Sequence, residues 1–397
     1  MASTRSEADG ASARRLRIAL VYDCLYPQTI GGIEHRSAQL AAALAERGHQ
    51  VTVVGMGEPA PPRDGVEILT LGPRPSDGAS RGARHTARFA LAMARLPLDR
   101  FDAVEAANIP FAHLLPLALR CRIARVPLIV TWHEVWGDNW ARFTGPLWPL
   151  FAALEFVCAQ LGERVSAVSR LTAGRLSALR GGDRIPVLPN GIPLARVAEA
   201  AAEAQPGPPL ISAGRLLPHK RLDLLIDAVA LLPRTLPTPL LTLIGVGPDR
   251  ERLQERAHAL GIEDRVVFTG RLATETDVWR TLGGARIAIQ PSAREGFGIF
   301  PLEAMAAGLP VVYCEAADSA VGELVRPDVE GVAVAPNAAS LASTVAALLA
   351  DPVRLRALAT AAERRAKEFD WHAVAERFEA LLIHEPREGP PAEGANG

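Results

Sequence analysis

The first regular pattern in the chain is residues 17–55, RIALVYDCLYPQTIGGIEHRSAQLAAALAERGHQVTVVG. Its opening apolar run, Arg17–Asp23, is typical of a buried parallel strand. A helical pattern with one apolar face follows over Ile33–Arg47 and ends at Gly48, and Val51–Gly55 is the next apolar run. A strand, a helix and a second strand in this order predict a parallel α/β sheet.

The same alternation continues and then starts again after a stretch rich in Ala, Pro and Gly, Ala195–Pro209, which we interpret as an interdomain linker. Two such series predict an α/β protein with two Rossmann-like, doubly wound domains that face each other across a cleft. Further strands are predicted at Val66–Leu71, Ala103–Asn108, Pro127–His133 and Val165–Ser169, and in the second series at Pro209–Gly214, Leu240–Gly245, Val266–Gly270, Ile287–Pro291, Val311–Cys314 and Gly331–Val334. Helices are predicted at Arg221–Leu232, Asp249–Leu260, Thr276–Leu282, Pro301–Ala307, Val353–Glu368 and Trp371–His384.

Composition narrows the class of protein. The 397 residues carry 43 basic and 44 acidic side chains, a net charge of −1, which excludes a nucleic-acid partner bound through a global basic field. The four cysteines are scattered without a CxxC pair, so neither a zinc site nor a disulfide framework is expected. The N-terminus lacks the apolar run of a signal peptide, and no apolar stretch reaches the ~18 residues of a membrane span. We expect a cytoplasmic protein, at most peripheral at the inner face of the membrane.

The strongest chemical motif is residues 294–308, REGFGIFPLEAMAAG. Glu295 and Glu303 are eight residues apart, and each carboxylate can accept hydrogen bonds from substrate hydroxyls. Gly296 and Gly298 expose backbone amides, and Pro301 fits the first turn of a helix whose N-terminus suits phosphate or sugar oxygens. The alternative is a surface loop with two solvated glutamates.

A second motif, GRLLPHKR at residues 214–221, opens the second domain. Arg215 and Lys220 are five residues apart across a proline-containing loop, a spacing that can close two cations around a diphosphate. A solvated basic turn is the alternative. Against it, only Lys220 and Lys367 are lysines among the 43 basic residues, so lysine is an unusual choice in this chain.

Two further turns follow predicted strands. Gly31 and Gly32 begin the first helix, where glycines let the backbone approach an anion, although an ordinary glycine turn has the same pattern. His133 ends a strand in PLIVTWHEVWGDNW, among Trp132, Trp136 and Trp140, whose rings suit sugar or base faces. A structural histidine among core tryptophans is the alternative interpretation.

These motifs resemble glycosyltransferase family 4, the retaining GT-B enzymes that use nucleotide sugars. The glutamate pair around GFG is the most specific match, supported by GGIE, VSAVSR, LPNGI, GRLLPHKR, LIGVGP, VVFTGRL and the closing FDWHAVAERFEALL. The resemblance covers roughly residues 17–384 and implies a GT-B fold. It implies an acceptor-side domain at 16–197, a donor domain at 198–368 and a helix at 369–385 that crosses back to the first domain. The tails at 1–15 and 386–397 are expected to be disordered because their residues are mostly small or polar and, taken together, rich in Pro and Gly.

The resemblance also implies roles for single residues. Arg215 and Lys220 would hold the donor diphosphate. Glu303 would bind the nucleotide ribose, Glu295 the donor sugar, and His133 would lie near the reacting carbon. The other positions implied for donor binding, several through main-chain groups, are Gly31, Gly32, Gly270, Arg271, Leu272, Gly296, Phe297, Gly298, Ile299 and Phe300.

The implied reaction is transfer of a hexosyl or N-acetylhexosaminyl group to a hydroxyl acceptor by front-face attack. No D-x-D occurs in the chain, so we expect no metal, with Arg215 and Lys220 in its place, and no cofactor beyond the co-substrate, a UDP-sugar before a GDP-sugar. The acceptor stays open between a small molecule, a glycan and a lipid-linked sugar. The five arginines of Arg81–Arg100 on a potentially amphipathic helix allow contact with anionic lipid, or simply a solvated face. The alternatives are a lipid-directed mannosyltransferase that uses GDP-mannose, a GT-B nucleotide-sugar epimerase and a non-catalytic sugar-binding homologue.

Overall fold

The structure, a computed structural model, describes residues 15–29, 31–73 and 82–383. The predicted tails therefore lie outside the described residues except for Arg15, and so does Arg81 at the start of the arginine-rich segment.

Two parallel six-stranded sheets form the framework, which confirms the predicted α/β fold class. The strand order is β3-β2-β1-β4-β5-β6 in the first sheet, whose strands are β1 (Arg17–Cys24), β2 (Gln50–Met56), β3 (Val66–Thr70), β4 (Ala103–Ala107), β5 (Leu128–Trp132) and β6 (Arg164–Ala167). The second half of the chain contributes β7 (Leu210–Ala213), β8 (Leu241–Ile244), β9 (Val266–Gly270), β10 (Ile287–Gln290), β11 (Arg294–Glu295), β12 (Val311–Cys314), β13 (Asp318–Ser319) and β14 (Gly331–Val334). The order in the second sheet is β14-β12-β10-β7-β8-β9, and β11 pairs separately with β13.

Helices cover both faces of the sheets. Those of the first half are α1 (Gly32–Glu46), α2 (Ala83–Met93), α3 (Leu114–Ala124), α4 (Asn139–Thr144), α5 (Trp148–Ala159) and α6 (Arg170–Leu179). Those that follow are α7 (Leu194–Ala202), α8 (Leu222–Leu231), α9 (Arg250–Ala259), α10 (Glu275–Gly283), α11 (Ile299–Ala306), α12 (Val321–Leu324), α13 (Ala338–Ala350), α14 (Pro352–Ala366) and α15 (Trp371–Ile383).

Strand β1 shows why the apolar run is continuous. Its alternate side chains enter two different cores, because helices lie on both faces of the sheet. Ile18 and Leu20 pack on the side of α1 and α15, whereas Ala19 and Val21 pack on the side of α2, α3 and α5. Helix α15, the last one described, thus returns to the first half of the chain, where Phe378 is fully buried.

The first part of the predicted linker is helical. Helix α7 occupies Leu194–Ala202, and its Val197 and Ala200 are buried in the core beside α10 and α11. The run of alanines has no strand pattern, but alanine is the best helix former. Helices α3 to α6, α12 and α13 were not predicted.

Among the described residues, no single helix is long and apolar enough to cross a membrane. Helix α13 and the segment Pro352–Phe369 reach that length and apolarity only as a pair bent by 101°.

Candidate active site

The two halves of the chain touch where the carboxyl ends of their strands face each other. A side-chain carbon built on Gly296 would lie 2.1 Å from the carbonyl oxygen of His133, and one built on Gly32 would lie 2.8 Å from Cδ1 of Ile299. Glycine is required at position 296 because the backbone of His133 leaves no room for a Cβ, whereas at Gly32 the neighbour is the end of the Ile299 side chain, which could shift. The structure therefore brings together four predicted site positions that are far apart in sequence.

Two helix N-termini meet at this contact. Helix α1 begins at Gly32 after an extended Gly31, and α11 begins at Ile299 after Gly298, whose φ of +102° favours glycine. The first amides of each helix have no partner within their own helix, so they are available to an anion. The predicted start of the second helix, Pro301, is two residues too late.

Lys220 and Glu295 form an ion pair, although they were assigned to different parts of the substrate. The ammonium Nζ of Lys220 contacts Oε1 of Glu295, and the side-chain amide of Gln290 donates to the same oxygen. Glu295 lies in the short strand β11 rather than in a loop, because β11 pairs with β13. The pair thus holds two predicted substrate ligands in a preformed arrangement.

Arg215 lies beside this pair. Arg215 and Lys220 line one small cavity at the carboxyl end of β7, together with Ser212, Gly214 and Gln290. Arg215 is exposed, so its fork of N–H donors faces a site that solvent can enter. The predicted cationic pair is therefore a spatial pair.

Glu303 lies in a different setting from Glu295. The indole Nε1 of Trp279 donates a hydrogen bond to it over 3.1 Å. The pKa of Glu303 is raised to about 6, mainly by burial and to a smaller extent by the Glu275 carboxylate, while His35 and the indole bond act in the opposite direction. A carboxyl group with this pKa is partly protonated near neutral pH and accepts hydroxyl hydrogen bonds in its charged form.

A bridge between the halves, which the sequence did not predict, adjoins Glu303. Nε2 of His35 on α1 lies 2.9 Å from a carboxylate oxygen of Glu275 on α10. Burial acts against the charged imidazole, yet the Glu275 partner raises the pKa of His35, and the same pairing lowers the pKa of Glu275. The GGIE motif indicates where α1 begins, but nothing in it predicts that the following residue, His35, pairs with Glu275.

His133 is buried at the end of β5. Its backbone N–H donates to Oδ1 of Asn108 over 3.0 Å, whereas its ring atom Nε2 has no hydrogen-bond partner among the described residues. Burial, and after it the charge of Arg36, lowers the pKa of His133 well below its ordinary value. The ring is therefore neutral at physiological pH, and its Nε2 is a buried polar atom without a hydrogen-bond partner among the described residues.

The segment after His133 is fixed by a carboxylate that sequence analysis missed. Glu155 of α5 is buried and accepts the backbone N–H of Trp136 at 2.7 Å and of Gly137 at 2.9 Å. It also accepts the indole N–H of Trp140 at 3.0 Å. Trp136 and Trp140 stack on each other, and the guanidinium of Arg294 lies 4.4 Å from the Trp136 ring centroid. A glutamate within an apolar helical sequence was the available signal.

The remaining predicted positions contribute backbone rather than side chains. Phe297 and Phe300 are buried in the core around α11, so only their main-chain groups can reach a ligand. Gly270 ends β9 at the carboxyl edge of the second sheet and is followed by an exposed Arg271 and a partly buried Leu272. This agrees with the main-chain contacts expected of these positions, whose roles stay predictions.

One group of described residues is compact enough to hold a metal ion. The donor atoms of Asp23, Cys24 and His85 lie within 4.8 Å of one another at the end of β1. His85 and Asp23 also pair at 3.1 Å, so two of the three potential ligands are engaged with each other.

Family models match both halves of the chain. Residues 30–196 match the model described as Glycosyltransferase Family 4, and residues 198–368 match Glycosyl transferases group 1. The glycogen synthase of Mycobacterium tuberculosis (strain ATCC 25618 / H37Rv) is 30% identical over 91% of this chain and 92% of its own length. A GDP-mannose-dependent alpha-(1-6)-phosphatidylinositol monomannoside mannosyltransferase of Mycolicibacterium smegmatis is 30% identical over 70% of this chain and 74% of its own.

Solved structures share the fold. Anabaena HepE in complex with UDP and glucose superposes with a TM-score of 0.71 at 21% identity, covering 93% of this chain and 99% of that one. Sucrose-phosphate synthase from Thermosynechococcus elongatus gives a TM-score of 0.76 at 20% identity, covering 92% and 98%.

Proposed function

This chain belongs to glycosyltransferase family 4 and is therefore an enzyme, and we propose that it transfers a hexosyl or N-acetylhexosaminyl group from a nucleoside-diphosphate sugar to a hydroxyl acceptor with retention of configuration. The observation that carries the proposal is the meeting of α1 and α11, N-terminus to N-terminus, beside Arg215 and Lys220. Two sets of helix amides and two cations in one cleft suit the charge of a diphosphate.

Each half of the donor has a candidate partner. Lys220, paired with Glu295 in this structure, would exchange that partner for the diphosphate, which frees the Glu295 carboxylate for the sugar hydroxyls. Glu303, further along α11, would accept the ribose hydroxyls of the nucleotide. After the exchange, Lys220 would have the diphosphate as its partner and Glu295 would have the sugar hydroxyls, so neither ion would be left unpaired.

The proposed chemistry needs no protein nucleophile. The acceptor oxygen forms a bond to the anomeric carbon on the face from which the diphosphate leaves, and the departing phosphate oxygen takes the acceptor proton. Arg215 and Lys220 stabilise the charge that grows on the diphosphate, the role that a metal ion has in other enzymes. The neutral ring of His133 offers Nε2 as a hydrogen-bond acceptor beside the reacting centre.

A UDP-sugar is the favoured donor. UDP and glucose occupy the related HepE structure, while the mycobacterial relative is GDP-mannose-dependent, so a lipid-directed mannosyltransferase that uses GDP-mannose is the second candidate. Both candidates use the same diphosphate site and differ in the base and the acceptor.

The test begins with a thermal-shift screen of nucleoside diphosphates and continues with the labelled nucleotide sugar of the base that stabilises most. We expect the label to appear in a glycoside whose anomeric proton coupling matches that of the donor, in the presence of chelator. An epimerised donor, binding without turnover or an inverted product would each contradict the proposal. Loss of transfer in chelator that magnesium or manganese restores would contradict its metal-independent chemistry.

A further inference from the structure

The helical layer formed by α2, α3 and α5 has an apolar outer surface. Leu115, Leu119 and Ile123 of α3 follow one another at intervals of four residues and are all exposed, Leu119 by 61% and Ile123 by 74%. Residues at this spacing lie on one face of a helix. Helix α3 thus carries an apolar stripe that points away from the core.

Helix α5 is apolar on the outside as well. Its buried residues are Glu155, Cys158 and Ala159, whereas Leu150 is 67% exposed. Trp148, Phe156 and Val157 of this helix and the preceding Leu147 are also exposed. This distribution is the reverse of that in an ordinary surface helix, where the carboxylate faces water and the aromatic residue faces the core.

These helices share one core, so their outer faces lie on the same side of the sheet. Cys158 of α5 lies 3.5 Å from the carbonyl oxygen of Phe111, just before α3, and Arg120 of α3 donates to the carbonyl oxygens of Met93 and Leu96 next to α2. Nine of the sixteen exposed large hydrophobic side chains among the described residues belong to this layer. We call them the α2–α3–α5 face: Leu91, Leu115, Leu119, Ile123, Leu147, Trp148, Leu150, Phe156 and Val157.

The exposed charges within helices α2, α3, α4 and α5 are all positive, while one exposed carboxylate, Asp138, directly precedes α4. Helices α2, α3, α4 and α5 contain a single carboxylate in their sequences, Glu155, and it is buried against the amides of the Trp136 segment. The exposed ionic groups of the four helices and of the residues that follow α2 and α3 directly are arginines: Arg84, Arg88, Arg95, Arg122, Arg125 and Arg142. Exposed apolar side chains with arginines among them match a bilayer of apolar chains and anionic headgroups.

We propose that the α2–α3–α5 face is a docking surface for an anionic lipid bilayer, on which these helices lie flat. Helix α5 has 12 residues and α3 has 11, too short to cross the ~30 Å hydrocarbon layer but long enough to rest in its interface. Several separate side chains of modest area make the docking reversible. The proposal concerns binding alone and stands independently of the proposed reaction.

The experiment is flotation of the full chain with vesicles of phosphatidylcholine alone or with about 30% phosphatidylglycerol, at an ionic strength of about 0.1 M. We expect at least a tenfold stronger partition to the anionic vesicles and a marked loss in high salt, because the arginines supply much of the attraction. Leu119→Glu with Ile123→Glu should reduce this partition by at least tenfold, and Arg88→Glu by several-fold.

The matched control is Val353→Glu, since Val353 of α14 is 80% exposed but lies in the other half of the chain. It should partition like the wild type, and circular dichroism should show all variants folded. Equal flotation of the wild type and the α3 variant would overturn the proposal. Failure of the wild type to bind anionic vesicles would also overturn the proposal. If such a wild type self-associates in size-exclusion chromatography and the α3 variant does not, the face is an interface with a second copy of the chain.

Discussion

The two sides of the cleft, which we call its walls, come from the two halves of the chain and differ in how they use ionic side chains. On the wall from the second half of the chain, ionic side chains face the cleft directly: Lys220 pairs with Glu295, and Glu303 lies beside Trp279. On the wall from the first half, the histidine is neutral and the organising carboxylate, Glu155, lies behind the surface and holds backbone amides. Ionic side chains thus face the cleft mainly from the second half of the chain, with His35 of α1 as the exception, and substitutions on the two walls should have different effects.

The largest effect is expected at Lys220. The leaving diphosphate gains charge as its bond to the sugar breaks, so a cation there stabilises the transition state more than the ground state. Lys220→Ala should lower turnover by roughly a hundredfold or more, the scale of removing one preorganised charge stabiliser. Lys220→Arg should also be impaired, because a larger guanidinium must fit beside Glu295 and Pro218.

The chain offers a matched control for that experiment. Lys367, its other lysine, is exposed beyond α14, and Lys367→Ala should turn over at the native rate. If Lys220→Arg were fully active, position 220 would require only a positive charge, and the geometric part of the argument would be wrong.

The two glutamates of the charged wall should separate next. Glu303→Ala should weaken binding of the free nucleoside diphosphate by roughly 10- to 100-fold, the equivalent of about 1.5–3 kcal/mol for hydrogen bonds to a charged group. Glu295→Ala should change that affinity far less and act on turnover and sugar discrimination. Calorimetric titration of both variants measures the difference, and equal losses would contradict the separate roles.

The pH dependence of stability should identify Glu303 as a buried acid. Its pKa is raised from 4.5 to about 6, so the folded state holds the proton more tightly than the unfolded chain. The protonated carboxyl group therefore contributes fully to the stability of the folded state below pH 4.5, and this contribution is lost as the pH rises through about 6. Glu303→Gln, neutral throughout, should therefore gain stability relative to the wild type as the pH rises from about 4 to about 7, by at most roughly 2 kcal/mol, with a constant difference above that range.

Thermal melts across that range measure the gain. Glu251→Gln, on an exposed position of α9, is the control that should show no such trend. A difference between Glu303→Gln and the wild type that stays constant across that range would mean that Glu303 titrates as an ordinary surface carboxyl.

The smallest effect is expected at Glu155, on the wall from the first half of the chain. Glu155→Gln keeps one carbonyl oxygen for three N–H donors and places an NH2 group against the others, which loosens the segment around Trp136. We expect the KM for the acceptor to rise by about tenfold while the KM for the donor is unchanged, a difference of about 1.4 kcal/mol. Steady-state kinetics with both substrates varied measures this split, and an equal rise in both constants would contradict the division between the walls.

The sequence could predict elements whose signal is local. The apolar run of β1, the glycines before α1 and the pattern of β9, β12 and β14 agree with the structure within a residue or two, because period and turn residues belong to neighbouring positions. The glutamate pair and the GRLLPHKR turn were likewise visible as motifs. Helix α7 was missed although it has a distinct apolar face, because its Ala-, Pro- and Gly-rich surroundings resemble a linker, and α3 and α5 were missed because their apolar residues lie on both sides.

What the sequence determined by itself is the order of the elements and the identity of the reactive side chains, since both depend on which residues stand near one another along the chain. Only the tertiary structure decided their partnerships. Lys220 meets Glu295 across 75 positions, and His35 meets Glu275 across the cleft. Glu155 becomes a buried anchor rather than a surface charge, because the packing of α5 turns it toward unpaired amides. Burial and pairing set the pKa of each group and the direction it faces, and both depend on distances in space that no sequence spacing records.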